Sequence, residues 1–238
     1  MFDIDGTLTE TMTVDSECYV RSLLEVFGFT GIDTDWSRYT HTSDSGILQE
    51  LFASRTGRAP SEADVSRFRQ HFIGLLTAAS SQAPFAAVTG AERLLSRLAF
   101  SDSHRVCLAT GAWRESARLK MTSAGLCFDD HPSATAEDAP DRESIMRLSM
   151  QRALDRRGAP FQQIVYVGDG VWDARACRSL GLPFIGIGSS VRAERLALEG
   201  AVRVFPDLSD ADLFLECLND IKTNESPVLK YDNQIPRS

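Results

Sequence analysis

Short apolar runs alternate with longer stretches of helical spacing along most of this chain. The runs VCLAT (Val106–Thr110), IVYVGD (Ile164–Asp169) and PFIGIG (Pro183–Gly188) each end in a polar or glycine-rich turn. Such runs read as strands buried on both faces, as in a parallel sheet. Val202–Phe205 is a weaker fourth. Helical patterns lie between them. Leu94, Leu95 and Leu98 form one stripe after Gly90. AWRESARLKMTSAGL forms another, with Gly125 where a helix ends. In DRESIMRLSMQRALDRRG, Met146, Met150, Ala153 and Leu154 share a face and Gly158 closes the segment. This alternation predicts βαβ units and an α/β fold with a doubly wound, mostly parallel, Rossmann-like sheet.

Residues 13–84 read differently, with no convincing strand. Val20, Leu23, Leu24 and Phe27 follow helical spacing up to Gly28. Ile47, Leu48, Leu51 and Phe52 follow it up to Gly57. A third helix starts at Pro60-Ser61, with Asp64 placed for a capping box, and takes its apolar face from Val65, Phe68, Phe72, Leu75, Leu76 and Ala79. The expected organisation is an α/β core of residues 1–12 and 85–221 and an inserted all-helical unit of residues 13–84. Hinges are expected at Thr9–Thr13 and Ser80–Pro84. A loosely ordered polar tail is expected over residues 222–238, which hold Pro227 and Pro236.

Composition narrows the class. The chain has 238 residues, 43% hydrophobic and 24% charged, an ordinary globular balance. Its net charge of −8 and lack of a basic tract argue against nucleic-acid or anionic-membrane partners, which need clustered Lys and Arg. No apolar run approaches the roughly 20 residues of a membrane span, and the start lacks a secretory pattern. Cys18, Cys107, Cys127, Cys177 and Cys217 are scattered without a C-x-x-C pair, so a reducing cytoplasm is the expected compartment.

The candidate chemistry is acidic. Asp3 and Asp5 in MFDIDGTLTE stand two apart, on one face of a strand, at its carboxyl end. Two adjacent carboxylates repel, so such a pair holds a metal ion or shifts a pKa; an Asx turn with a helix cap makes the same pattern. LATG puts the Thr110 hydroxyl and the Gly111 amide at a strand-to-helix turn, where open α/β sheets bind phosphate and where a plain N-cap also fits. VGDGVWD brings Asp169 to a third strand tip, with Asp173 one helical turn on.

In this order, the motifs DIDGTLT, LATG and GDGVWD resemble the haloacid dehalogenase-like hydrolase superfamily, from Phe2 to about Leu218. The helical insert resembles its C1-type cap, and TSDSGILQE and LATGAWRESARLK resemble a phosphatase-like branch. The resemblance implies Asp3 as the nucleophile that takes a phosphoryl group and Asp5 as the acid and base. It implies Mg²⁺ held by the Asp3 carboxylate, the Asp5 carbonyl and Asp169, with Asp173 as a further ligand or a holder of the others. Thr110 and Gly111 would bind the phosphoryl oxygens. The family's usual lysine before the helix that precedes the last acidic motif is replaced by Arg142, which would orient Asp3 and grip phosphate. Lys120 is the rival basic residue, although its place in a helix suggests a solvated face.

His41, Ser43 and Asp44 are candidates for substrate choice, with an N-cap as the competing role for Ser43 or Asp44. Trp113 and Trp172 either wall the pocket or pack between helix and sheet. His71, His104 and His131 lack ligand spacing. The expected activity is Mg²⁺-dependent hydrolysis of a small phosphorylated metabolite. A sugar-phosphate mutase and a non-catalytic binding protein are the alternatives. Relatives carry a full apolar strand before the nucleophile, where only Met1 and Phe2 stand here. The expectation is a native chain that begins earlier, unless the neighbouring strands alone suffice to hold Met1–Ile4.

Overall fold

The computed structural model describes residues 1–221, so the expected polar tail lies outside the described residues. The predicted apolar runs become parallel strands: β1 (Leu108–Ala109), β3 (Tyr166–Gly168), β4 (Phe184–Ile187) and β5 (Arg203–Phe205). One more strand, β2 (Ser133–Ala134), pairs in parallel with β1. Only two residues long and not apolar, β2 has no pattern that a periodicity reading detects.

The first residues complete the sheet. Phe2 bridges in parallel to Leu108 on one side and to Val167 on the other. Its amide donates to Cys107 O and its carbonyl accepts from Ala109 N, both at 2.9 Å. Asp3 N donates to Val167 O at 2.9 Å, and the terminal amine donates to Val165 O at 2.8 Å. Met1, Phe2 and Ile4 are buried. The order across the sheet is β2, β1, the first residues, β3, β4, β5.

Helices cover both faces. On one, α4 (Ala91–Ala99), α5 (Arg114–Ser123) and α9 (Ala211–Asp220) enclose a core containing Phe2, Ile4, Leu94, Leu108, Met121, Val167 and Phe214. On the other, α6 (Arg142–Arg157), α7 (Val171–Leu180) and α8 (Ser190–Leu198) pack around Met146, Met150, Tyr166 and Phe184. The expected helix stops hold: Gly28, Gly57 and Gly158 are left-handed caps, and Gly125 follows the last turn of α5 at φ 75°.

The helical insert consists of α1 (Met12–Phe27), α2 (Asp44–Thr56) and α3 (Glu62–Gln82), with a short 3₁₀ turn at Trp36–Arg38. Ser61 and Asp64 form the predicted capping box. Leu24 departs from the predicted stripe and is exposed, because the buried face of α1 turns on Cys18, Tyr19, Ser22 and Leu23. The chain enters and leaves the insert side by side, since Thr9 and Ala87 form an antiparallel bridge. The insert shares one apolar cluster with the body of the protein, in which Tyr19, Phe68 and Phe72 surround Trp113.

Candidate active site

Two strand ends bring the acidic residues together at the carboxyl edge of the sheet, and a third brings Thr110 and Gly111 beside them, where open α/β sheets place their ligand sites. Asp3 stands at the end of the first-residue stretch and is buried. The chain then turns back on itself: the amides of Thr7, Leu8 and Thr9 all donate to Ile4 O. Gly6 makes this turn possible at φ 73°, and any side chain there would run into the Asp169 carboxylate.

Asp169 follows β3, and Gly170 opens α7. Asp173 in the first turn accepts from Gly170 N at 3.1 Å and from the Tyr166 hydroxyl at 3.3 Å. Asp3, Asp169 and Asp173 are all buried, and each offers a carboxylate oxygen within 4.8 Å of the others. Burial pushes all three carboxyls up, Asp173 to about 7 and Asp169 well above its usual range, with mutual repulsion adding to it.

Two arginines offset this charge. Arg142, the first residue of α6, places Nη1 3.2 Å from Asp3 Oδ1 and 3.3 Å from Asp173 Oδ1, and its Nε donates to Thr42 O at 3.1 Å. Asp141 caps that helix by accepting from Ser144 N, which fixes where Arg142 begins. Arg192 of α8 reaches Asp169 Oδ2 at 3.0 Å. Asp169 Oδ1 is buried with no protein partner among the described residues. A buried carboxylate oxygen without a donor is costly. An all-oxygen triad with that unmatched atom fits a hard divalent cation.

The Asp5 side chain stands apart from the triad, and the metal role expected of this residue is that of its backbone carbonyl. Its Oδ1 accepts from Thr11 at 2.5 Å and its Oδ2 from Lys120 Nζ at 2.6 Å. Lys120 also donates to Asp15 Oδ1 at 2.7 Å. The expected solvated face for Lys120 is wrong: the side chain is fully buried. Burial opposes its charge, but Asp15, Asp5 and Asp44 outweigh that and hold the ammonium above its ordinary pKa. Burial pushes Asp15 up to about 6 despite Lys120.

A cavity of about 70 Å³ opens over this edge, with room for a few water molecules. Asp3, Asp5, Thr110, Gly111, Arg142 and Trp172 line it, and from the insert so do Asp15, Thr42, Ser43 and Asp44. A side chain at Gly111 would press on the Thr42 carbonyl and the Arg142 guanidinium. The Thr110 hydroxyl accepts from Ala112 N at 3.2 Å, within the turn.

The substrate-choice candidates divide. Ser43 is the N-cap of α2, accepting from Gly46 N and donating to Pro140 O. Asp44 is buried and accepts from Trp113 N at 2.9 Å, while its amide donates to Gly111 O at 2.7 Å. It docks α2 against the LATG turn. His41 does not line the cavity; its Cβ packs toward Gly46. Trp113 is a core residue stacked on Tyr19, with its indole donating to Ser45. Trp172 lines the cavity, and its buried indole N–H has no partner among the described residues. Asp15 and Arg192 were not anticipated. Lys120 carries a signal in its spacing, because it completes the buried stripe of Trp113, Ser116, Ala117 and Met121.

Comparison with known proteins agrees with this fold. A hydrolase from Pseudomonas syringae superposes with a TM-score of 0.71 at 21% identity, covering 93% of this chain and 98% of its own. CbbY from Rhodobacter sphaeroides, solved with phosphate, gives 0.65 at 19% identity, covering 88% and 93%. A candidate β-phosphoglucomutase from Bacteroides vulgatus gives 0.66 at 18%, covering 92% and 87%. Among curated proteins none matches significantly. The family model for haloacid dehalogenase-like hydrolases matches residues 1–181, and with the α/β sheet and inserted helices in place, this chain belongs to that family of enzymes.

Proposed function

We propose that this enzyme hydrolyses a small phosphate monoester through a phosphoryl group carried on Asp3. The observation that carries the reading is the meeting of Asp3, Asp169, Asp173 and Arg142 beneath a cavity that Asp5, Thr110 and Gly111 also line. An Asp3 oxygen attacks phosphorus, the bond from phosphorus to the ester oxygen breaks, and Asp5 gives that oxygen a proton. Asp5 then takes a proton from a water molecule, whose oxygen attacks the phosphoryl group and frees phosphate and Asp3. Arg142 holds Asp3 and offers a planar fork to phosphoryl oxygens. The Thr110 hydroxyl and the Gly111 amide serve the same oxygens.

The cation would be Mg²⁺, held by Asp3, Asp169, Asp173 and the Asp5 carbonyl. It would offset the repulsion between a phosphate dianion and Asp3. The insert's residues at the cavity, Thr42, Ser43 and Asp44 among them, would choose the leaving group. The small cavity supports a small metabolite as substrate. Five unpaired cysteines support a reducing cytoplasmic setting, and among the described residues no helix is long and apolar enough to cross a membrane.

The test is phosphate release from a panel of small phosphomonoesters, with Mg²⁺ and then with excess chelator, in wild type and Asp3→Asn. Release that needs both the metal and Asp3 is the expected result. Isomerised sugar phosphate without free phosphate would replace hydrolysis by mutase chemistry, and no turnover by a folded protein would overturn both.

A further inference from the structure

The hydrolytic scheme leaves Lys120 without a task, yet the fold goes to some length to bury it. The residue sits on α5, on the stripe that faces the core, and its side chain is entirely inaccessible. A buried ammonium is retained only when paired and fully hydrogen-bonded. Its partners come from two separate elements. Asp5 belongs to the turn after the first-residue stretch, and Asp15 to the first turn of α1 in the insert.

Both oxygens of the Asp5 carboxylate are thereby engaged. Oδ2 takes the Lys120 ammonium at 2.6 Å, and Oδ1 takes the Thr11 hydroxyl at 2.5 Å. Thr11 in turn accepts from the Thr9 hydroxyl at 2.6 Å. Left alone, Asp5 would be free to turn toward solvent and away from the negative triad, since its side chain is 15% exposed at the cavity. Coulomb attraction to a fixed, desolvated ammonium is strong enough to select one rotamer.

We infer that Lys120 is the positioning residue for Asp5: it fixes the Asp5 carboxylate at the cavity and, through Asp15, ties that orientation to the place of α1. The inference rests on the acid–base role proposed for Asp5. Its rival is a purely structural Lys120 that neutralises Asp15. The two differ in what happens when Lys120 and Asp15 are removed together, because the buried charge of each then disappears with its partner.

The experiment compares wild type, Lys120→Met, Lys120→Met/Asp15→Asn and Lys120→Arg. Melting temperature, kcat and KM for the best ester of the panel, and a crystal structure of the double variant are measured. Lys120→Met is expected to melt well below wild type. The double variant should recover most of that loss yet keep kcat about 10²-fold down, as for a displaced catalytic group, with KM changed by less than about threefold. Lys120→Arg should regain part of kcat. In the crystal structure the Asp5 carboxylate should have left its Thr11 partner. A stable double variant with kcat within about threefold of wild type, or an unmoved Asp5 carboxylate, overturns the inference. If wild type releases no phosphate from any ester, the hydrolytic reading fails by itself, and the Asp5 position in the crystal still decides what Lys120 does.

Discussion

Single residues carry much of the cost of this site. Asp169 is the sharpest case: it is 4% exposed, one oxygen lacks a donor among the described residues, and burial and its neighbours push its carboxyl well above the usual range. A carboxyl with a raised folded pKa destabilises the fold at every pH above its unfolded value, because it must be either ionised at a cost or protonated at a cost. Asp169→Asn is therefore expected to raise the melting temperature of the metal-free protein. Wild type should gain about 5–10 °C when Mg²⁺ is supplied at a hundredfold excess over Kd, and the variant should gain almost nothing. Thermal scans with and without Mg²⁺ check both halves. An equal Mg²⁺ response in the two proteins would remove Asp169 from the cation site.

The acidic residues were legible because their geometry is local. Asp3, Asp5 and Gly6 define one turn, and Asp169, Gly170 and Asp173 define one strand end and helix start. The chain spells those out within a few positions. Lys120, Asp15 and Arg192 were not legible in the same way. Each reaches the site from a helix whose rotation about its own axis is set by packing. A lysine among polar neighbours reads as solvated until its stripe with Ala117 and Met121 is counted. Arg142 was placed by its position at the start of α6, and its reach to both Asp3 and Asp173 needed the structure.

At the scale of elements, the contact between insert and body turns on Trp113. Its ring stacks on Tyr19 at 6.2 Å and meets Phe68 and Phe72 edge-on, so α1, α3 and α5 share one aromatic cluster. Trp113→Ala removes a large buried ring and leaves the bond from its backbone amide to Asp44 in place. The expected loss is about 3–5 kcal/mol, a large part of a typical stability of ~5–15 kcal/mol. Urea unfolding measures it; a loss below about 1 kcal/mol would mean that the insert does not lean on this cluster.

The loop that delivers Arg142 is held by a second device. Asp138 accepts from Thr135 N, from Arg152 and from Arg114. Burial pushes its carboxyl up, but the bonds from Arg152 and Thr135 outweigh that and leave it below the ordinary range. A depressed folded pKa contributes stability above the unfolded pKa and loses it as pH falls through the folded one. Asp138→Asn should therefore cost about 1 kcal/mol near neutral pH, after screening by solvent. The difference from wild type should vanish once the pH is below both values. Unfolding curves across acid pH test this, and a constant difference at all pH values would contradict it. The strands themselves were legible wherever they were apolar. β2 was not, because Ser133 and Ala134 offer no run and take their place only by pairing with β1.

For the whole molecule, the account is one of convergence. A parallel sheet gathers the ends of three distant segments at one edge, and the inserted helices close over it. The chain carries a net charge of −8, yet the floor of the cavity holds Arg142 between two carboxylates. Local charge, and not the total, decides whether a phosphate can enter. At about 70 Å³ the cavity suits a small ligand, in keeping with the proposed small phosphate ester. The family and the fold follow from the motifs and the sheet; the transfer of a phosphoryl group to Asp3 is the claim on which the rest of the chemistry depends.

That claim is tested most directly by trapping the covalent species. The enzyme would be mixed with Mg²⁺ and a reactive small phosphate donor, quenched in acid within milliseconds, digested and mapped by mass spectrometry. The account predicts one added phosphoryl group on the peptide that carries Asp3, absent when Mg²⁺ is chelated and absent in Asp3→Asn. A phosphoryl group found on another residue, or an unmodified peptide under conditions of active turnover, would contradict it.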